Sequence, residues 1–198
     1  MAQALTIPKH RLDGLTDAVF GVAMTLLVLD LKLPETADFK SPGEFLHALS
    51  ELDTQFLTYV ISFFVLGLHW LGYTQLSART KDPSFAFARS ALIYLLFITL
   101  IPFSTMLVGR FGDFALASWV YAANMIGGSL VSLHLIWLAA KPDNTAETRE
   151  DRLGSFLLIA SALLSVAISL VSPGHAMLGY LLNTAHPILT KWFMRPPS

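Results

Sequence analysis

The first long apolar stretch of the chain, which runs from Lys9 to Pro34, carries polar side chains inside it, and three of them suggest chemistry. They are Thr16, Asp17 and Thr25. An ionisable or hydroxyl group within a membrane-spanning helix costs free energy, and it commonly marks a path for ions or protons. The chemistry that these residue types offer is cation binding through oxygen atoms, or proton exchange at the carboxylate.

No pattern in the sequence predicts an enzyme. There is no nucleophile elbow and no phosphate-binding loop. The absence of cysteine excludes disulfides, thiolate nucleophiles and cysteine metal sites. His69, His134 and His186 belong to separate predicted helices, so no two stand at metal-ligand spacing on one helix. We expect these histidines to form interhelical hydrogen bonds, and we expect neither a metal centre nor a cofactor.

The composition indicates that the protein is embedded in a lipid bilayer. Of 198 residues, 54% are hydrophobic and 14% are charged, and the mean hydropathy is +0.59. Soluble domains rarely combine such values. The formal net charge of -1 gives no reason to expect a nucleic-acid partner.

The hydropathy pattern predicts an all-α integral membrane protein with six spans. A helix needs roughly 20 apolar residues to cross a bilayer. Short connections join the spans and no internal repeat is visible, so residues 1–198 form one domain. Ser41 before Pro42 predicts the start of a short helix in the first loop. The predicted spans cover about 12–33, 54–76, 90–108, 114–139, 153–171 and 175–193.

The basic residues predict the orientation. With both termini in the cytoplasm, ten lysines and arginines lie inside and three lie outside, namely Lys32, Lys40 and Arg110. The positive-inside rule favours this arrangement. The acidic first loop is then external, where it would attract cations. The ten on the cytoplasmic side are Lys9, Arg11, Arg79, Lys81, Arg89, Lys141, Arg149, Arg152, Lys191 and Arg195.

An apolar stripe follows the first helix. Spacings of four and three residues put Val22, Leu26 and Leu29 on one face, and Ala18 and Leu15 continue that face towards the N-terminus. Copies of the stripe around an axis would form stacked apolar rings, which close a pore by dewetting. Spacing alone favours an ordinary helix-packing seam over a pore lining. Thr25 lies beside the stripe, and its hydroxyl either faces ions or bonds back to its own helix.

The N-terminal part of this helix resembles the signature of the transmembrane protein 175 family of potassium channels. That signature is Arg, three residues, then Phe-Ser-Asp, and here Arg11 is followed by Leu15, Thr16 and Asp17. The likeness extends through AVFGVAMTLLVLDLKLP and, more loosely, to Trp70 in the second span. Leucine replaces the family's phenylalanine, and threonine keeps the serine's hydroxyl.

The resemblance implies a bacterial plasma-membrane homotetramer of six-helix subunits, conducting potassium ions passively through a pore lined by the four first helices. It implies no selectivity-filter loop, and the sequence contains none. By position, Val22 is the family's hydrophobic constriction, Leu26 and Leu29 continue it, and Thr25 is the hydroxyl beside it that favours potassium.

Asp17 leaves a second functional class open. Because Asp17 and Thr16 are displaced from the stripe, we expect them to face neighbouring helices, where Arg11, Trp70 or His69 would satisfy the carboxylate. The role of this motif is then structural. The alternative is a proton-coupled secondary transporter in which Asp17 and a membrane histidine exchange protons. Such carriers usually show broken helices or inverted repeats.

Overall fold

Every regular element in the described residues is helical. The computed structural model describes residues 8–33, 39–140 and 145–186, with only the backbone for 145–148. Two 3-10 segments complete the fold: the first, Leu27–Asp30, continues the first helix, and the C-terminal 3-10 segment is Pro173–Ala185. The α-helices are α1 Lys9–Leu26, α2 Pro42–Ser50, α3 Asp53–Arg79, α4 Phe85–Phe111, α5 Ala115–Ala139 and α6 Thr145–Ser169.

Five helices of the described chain are long and apolar enough to cross a membrane. They are Lys9–Asp30, Asp53–Arg79, Phe85–Phe111, Ala115–Ala139 and Arg149–Ser169. These match the first five predicted spans, and the chain is a membrane protein. The predicted sixth span begins where the C-terminal 3-10 segment lies, but residues 187–193 of that span lie outside the described residues.

The centre of the bundle is α4, which packs against α1, α3 and α5. Phe20 of α1 is 1% exposed, and its ring meets that of Tyr94 on α4 at 6.2 Å. Pro102 lies inside α4, and it deprives the carbonyl of Ile98 of its helical donor. Two hydroxyls, those of Ser104 and Thr105, donate to the carbonyl of Ile101 beside this interruption.

Close packing in the second half of the bundle depends on small residues. A methyl group on Gly127 of α5 would lie 2.3 Å from the ring of Phe97 on α4, so a larger residue would displace that ring. Similarly, a methyl group on Gly179 would lie 2.7 Å from the backbone nitrogen of Ser165, because the C-terminal 3-10 segment lies directly on α6. The α6 serines 161, 165 and 169 are all buried, so this face of α6 packs inside the subunit.

The first loop contains the short helix that Ser41 and Pro42 predict. The hydroxyl of Ser41 accepts a hydrogen bond from the backbone N–H of Glu44 at 3.2 Å, and proline occupies the first turn. All side chains of α2 except the partly covered Ala48 are exposed. The helix therefore lies on the surface of the subunit.

Candidate functional site

The first helix has two faces with different surroundings. The side chains that pack into the subunit recur every three or four residues, and none of them is more than 5% exposed. This periodicity fixes the rotation of α1 about its axis, because α3 and α4 cover only one side of it. The buried face consists of Leu12, Thr16, Phe20, Ala23 and Leu27.

The predicted apolar stripe lies on the opposite, uncovered face. Leu15 is 45% exposed, Val22 57%, Leu26 42% and Leu29 58%. The change from α-helix to 3-10 helix after Leu26 preserves the stripe, since residues three apart superimpose in a 3-10 turn. Within one subunit these side chains pack against little, so the stripe is not a packing seam of the subunit itself.

An open groove runs beside the stripe, between α1 and α4. Its volume is about 230 Å³. Apart from the hydroxyl of Thr99, which donates to the carbonyl of Leu96 at 2.8 Å, its walls are apolar. The groove is lined by Ala18, Val19, Val22, Ala23, Leu26 and Thr99.

Thr25 makes the bond to its own helix that was one of its two expected roles. It is exposed, and its hydroxyl donates to the carbonyl of Val22 in the same helix at 2.8 Å. A hydroxyl has one hydrogen and two lone pairs. Since the hydrogen is used within the helix, the oxygen presents acceptor capacity to whatever lies outside.

Small residues form a second stripe on the exposed side of α1. Gly14, Ala18, Gly21 and Thr25 recur at spacings of four, three and four residues, and all four are exposed. A side chain added at Gly14 or Gly21 would meet nothing within 4 Å in the subunit. Small residues at such spacing allow membrane helices to approach closely.

Two aspartates tie α1 to α3. The indole N–H of Trp70 donates to a carboxylate oxygen of Asp17 at 3.1 Å. One turn earlier, Asp13 accepts from the hydroxyl of Ser77 at 2.5 Å and pairs with Lys9 at 2.9 Å. The two contacts together define the height and the rotation of α1 against α3.

Two of the partners expected for Asp17 lie elsewhere. Arg11 is exposed, and its guanidinium makes no hydrogen bond or ion pair with any side chain that the structure describes. His69 is buried, and its Nδ1 lies 3.0 Å from the hydroxyl of Tyr94, which in turn donates to the backbone carbonyl of His69 at 3.1 Å. The interhelical hydrogen bond expected for this histidine is therefore present, but it joins α3 to α4.

Sequence reasoning missed Asp13. Flanked by Lys9, His10 and Arg11, it has the appearance of a solvated charge at a helix end. The available signal was its spacing of four from Asp17, which puts both carboxylates on one side of α1. Thr16 also differs from the expectation of a partner on another helix, since its hydroxyl donates to the carbonyl of Leu12 at 2.9 Å.

The far end of α1 carries one more ion pair. The guanidinium of Arg110 on α4 lies 3.6 Å from the carboxylate of Asp30. The described parts of the chain hold no group of three or more histidine, aspartate or glutamate side chains arranged for a metal ion. The surface of α1 thus offers apolar side chains and hydroxyl oxygen, with the carboxylates engaged by other residues.

Comparisons with known proteins confirm the resemblance. Residues 11–102 match the family described as endosomal/lysosomal potassium channel TMEM175. A potassium channel of Streptomyces collinus is 28% identical over 91% of this chain and 95% of that protein. The endosomal/lysosomal proton channel TMEM175 of Homo sapiens is 29% identical over 48% of this chain and 20% of that protein.

A solved structure has the same fold. The crystal structure of a lysosomal potassium-selective channel TMEM175 homolog from Chamaesiphon minutus superimposes with a TM-score of 0.78 at 24% identity. It covers 92% of this chain and 97% of that one.

Proposed function

We infer that this chain, a member of the transmembrane protein 175 family, is a subunit of a potassium-selective channel. Four subunits assemble around a pore lined by α1, in a bacterial plasma membrane. Each contributes six helices, the last of which starts with the C-terminal 3-10 segment. Both termini are cytoplasmic, so the Asp30 end of α1 is external.

The observation that carries this proposal is the exposure of the apolar stripe. Val22, Leu26 and Leu29 are each at least 42% exposed, whereas the opposite face of α1 is packed into the subunit. Four copies facing an axis form stacked rings, and Val22 is the narrowest gate by position. Water leaves such an apolar constriction readily, and ions then lose their hydration without compensation.

Thr25 supplies the selectivity. Its hydroxyl hydrogen is used within the helix, so four copies present a ring of lone pairs towards the axis. Such oxygens replace part of an ion's hydration shell. Potassium permeates in preference to sodium, because removing its hydration shell costs less free energy.

The small-residue stripe supports the tetramer. Gly14, Ala18 and Gly21 leave open space beside α1, which a neighbouring first helix fills. Thr16, Asp17 and Trp70 then serve a structural purpose. Thr16 packs inside the subunit, and the bond from Trp70 to Asp17 holds α1 in the rotation that directs the stripe to the axis.

The contacts of the titratable groups favour a channel over a proton-coupled carrier. Asp17 bonds to Trp70, while His69 bonds to Tyr94, so neither is the other's partner. The α1 helix is also continuous over Lys9–Leu26 and lacks the break typical of carrier sites.

The test is potassium flux into liposomes that contain the purified protein. We expect passive flux down a potassium gradient, reduced when sodium replaces potassium. Val22→Ser should raise the flux, because hydroxyls at the constriction keep it wet, and Val120→Ser on the exposed side of α5 should leave it unchanged. Flux that requires a proton gradient would overturn the proposal. So would a Val22→Ser variant that conducts as the wild type does.

A further inference from the structure

A second groove, here called the α3–α6 groove, opens between α3 and α6 on the side of α3 away from α1. Its volume is about 180 Å³. Gly72 of α3 lines it, whereas Trp70, which bonds to Asp17 of α1, lies two residues or about 200° away around the helix. Gly72 and Leu71 are exposed, so the groove is open along its α3 edge. None of its described lining residues belongs to α1, and it therefore lies apart from the proposed pore.

The α3–α6 groove runs from the end of the membrane spans into their apolar part. Gln75 lies four residues before the end of α3, and Leu68 lies seven residues further in, about 10 Å along the helix axis. On α6, Glu150 lies at the start of the apolar span Arg149–Ser169. An engineered apolar cavity of about 150 Å³ in another protein holds one benzene molecule, so the inner part of the groove suits a stretch of hydrocarbon. Its inner walls are apolar and consist of Leu68, Leu71, Ile136, Leu157 and Leu158.

The outer end of the groove carries both hydrogen-bond donors and a carboxylate. The exposed amide of Gln75 and the half-buried carboxylate of Glu150 line it, and neither side chain bonds to a residue that the structure describes. Arg79 follows Gln75 by four residues, so the two share a face of α3. Its guanidinium has five N–H groups, is 32% exposed and pairs with Asp151 at 2.8 Å. The imidazole of His186 also lies at this end.

This combination matches a dipolar headgroup above a hydrocarbon chain. A purely anionic group would meet the carboxylates of Glu150 and Asp151, and like charges repel. A purely cationic group would leave the amide N–H groups of Gln75 without an acceptor. A molecule that carries an ammonium and a phosphate satisfies both, and its apolar chain continues into the groove. Phospholipids are the molecules of this kind that surround a membrane protein.

We propose that the α3–α6 groove binds one phospholipid whose headgroup carries a primary ammonium and a phosphate, that is, a phosphatidylethanolamine. The ammonium donates to the carboxylate of Glu150, and the phosphate accepts from the amide of Gln75 and from the guanidinium of Arg79. One acyl chain packs among the leucines of α3 and α6. The lipid belongs to the cytoplasmic leaflet, an assignment that rests on the orientation given under the proposed function.

Native mass spectrometry of the delipidated full-length protein in detergent tests the proposal. The probe is palmitoyl-oleoyl phosphatidylethanolamine, and the comparison lipids are the phosphatidylcholine and the phosphatidylglycerol with the same chains. We expect saturable binding of the first lipid. The other two should bind at least about tenfold more weakly, because one has methyl groups in place of the ammonium N–H groups and the other has no ammonium to donate to Glu150.

Two variants locate the lipid. A side chain at Gly72 meets nothing within 4 Å in the subunit, so Gly72→Leu should fold and occupy the groove, which weakens phosphatidylethanolamine binding by about tenfold. Its control, Ala123→Leu on the exposed side of α5, should bind as the wild type does. Glu150→Gln keeps the shape of the side chain and should weaken phosphatidylethanolamine binding by about tenfold, whereas Glu51→Gln beside α2 should have no effect.

Three results would overturn the proposal: no saturable binding of phosphatidylethanolamine, equal binding of phosphatidylcholine, or wild-type affinity in the Gly72→Leu variant. Glu150→Gln keeps the test decisive if Gly72→Leu does not fold, because wild-type affinity in that variant would equally exclude the ammonium contact. Binding is measured without ion flux, so failure here leaves the channel proposal standing, and failure of the flux assay leaves this proposal standing.

Discussion

Replacing Gly21 with leucine tests whether the exposed face of α1 packs against a copy of itself. Within one subunit, a side chain at this position meets nothing within 4 Å. Leucine is also the better helix former, by about 1 kcal/mol per subunit. A lone subunit should therefore tolerate the change or become slightly more stable.

The assembled protein should respond in the opposite direction. Overpacking at a close contact costs about 1–3 kcal/mol, and a symmetric tetramer has four such contacts, which gives about 4–12 kcal/mol per assembly. Even the lower value is roughly a thousandfold in the assembly constant. We expect Gly21→Leu to shift the purified protein from tetramer to smaller species in light scattering coupled to size exclusion.

The control is Ala123→Leu, which adds comparable bulk on the exposed side of α5 and should leave the mass unchanged. If Gly21→Leu stays tetrameric with wild-type stability, α1 does not form the subunit contact. If both variants dissociate, added side-chain volume disrupts the assembly wherever it is placed, and the result does not identify α1 as the subunit contact.

Three further predictions concern single side chains. Thr25→Val keeps the shape of the side chain but removes the hydroxyl oxygen, so the ratio of potassium flux to sodium flux should fall. Thr99→Val, in the groove beside the stripe, should change that ratio less. Trp70→Phe removes the charge-assisted bond to Asp17, which is partly exposed to solvent. The variant should lose about 1 kcal/mol of stability, which is measured as a lower melting midpoint. Trp119→Phe, which loses only a bond to Ser169, should not change potassium flux. Gly179→Ala should lower the free energy of unfolding by about 1–3 kcal/mol, because the added methyl group clashes with the backbone of α6. The loss is measured as a lower melting midpoint. A midpoint equal to that of the wild type would mean that the C-terminal 3-10 segment moves aside.

Hydrophobic length and local chemistry predicted most of the fold. The five described spans follow from runs of apolar residues, and the short helix α2 follows from Ser41 and Pro42, because a cap and a first-turn proline act within one turn. Each of these signals is contained in a window shorter than one span.

Features that depend on contacts between distant segments were not predicted. Pro173–Ala185 forms a 3-10 segment in which Gly179 closely approaches α6. No pattern in the local sequence predicts this approach. The bond between Asp13 and Ser77 joins residues 64 positions apart. His69 lies one residue from Trp70, yet it points to α4 instead of Asp17, because successive residues in a helix face directions about 100° apart.

These distant contacts decide which residues of α1 reach the proposed pore. Rotating α1 by one residue, about 100°, would turn Val22 out of the exposed stripe and bring a buried residue such as Ala23 towards it. Because the bonds of Asp13 and Asp17 to α3 lie one turn apart, they resist sliding and rotation together. A single contact would still allow α1 to turn about it. In the proposed channel the polar motif would act on conduction from outside the pore, and losing both bonds at once should alter selectivity more than the sum of the single losses.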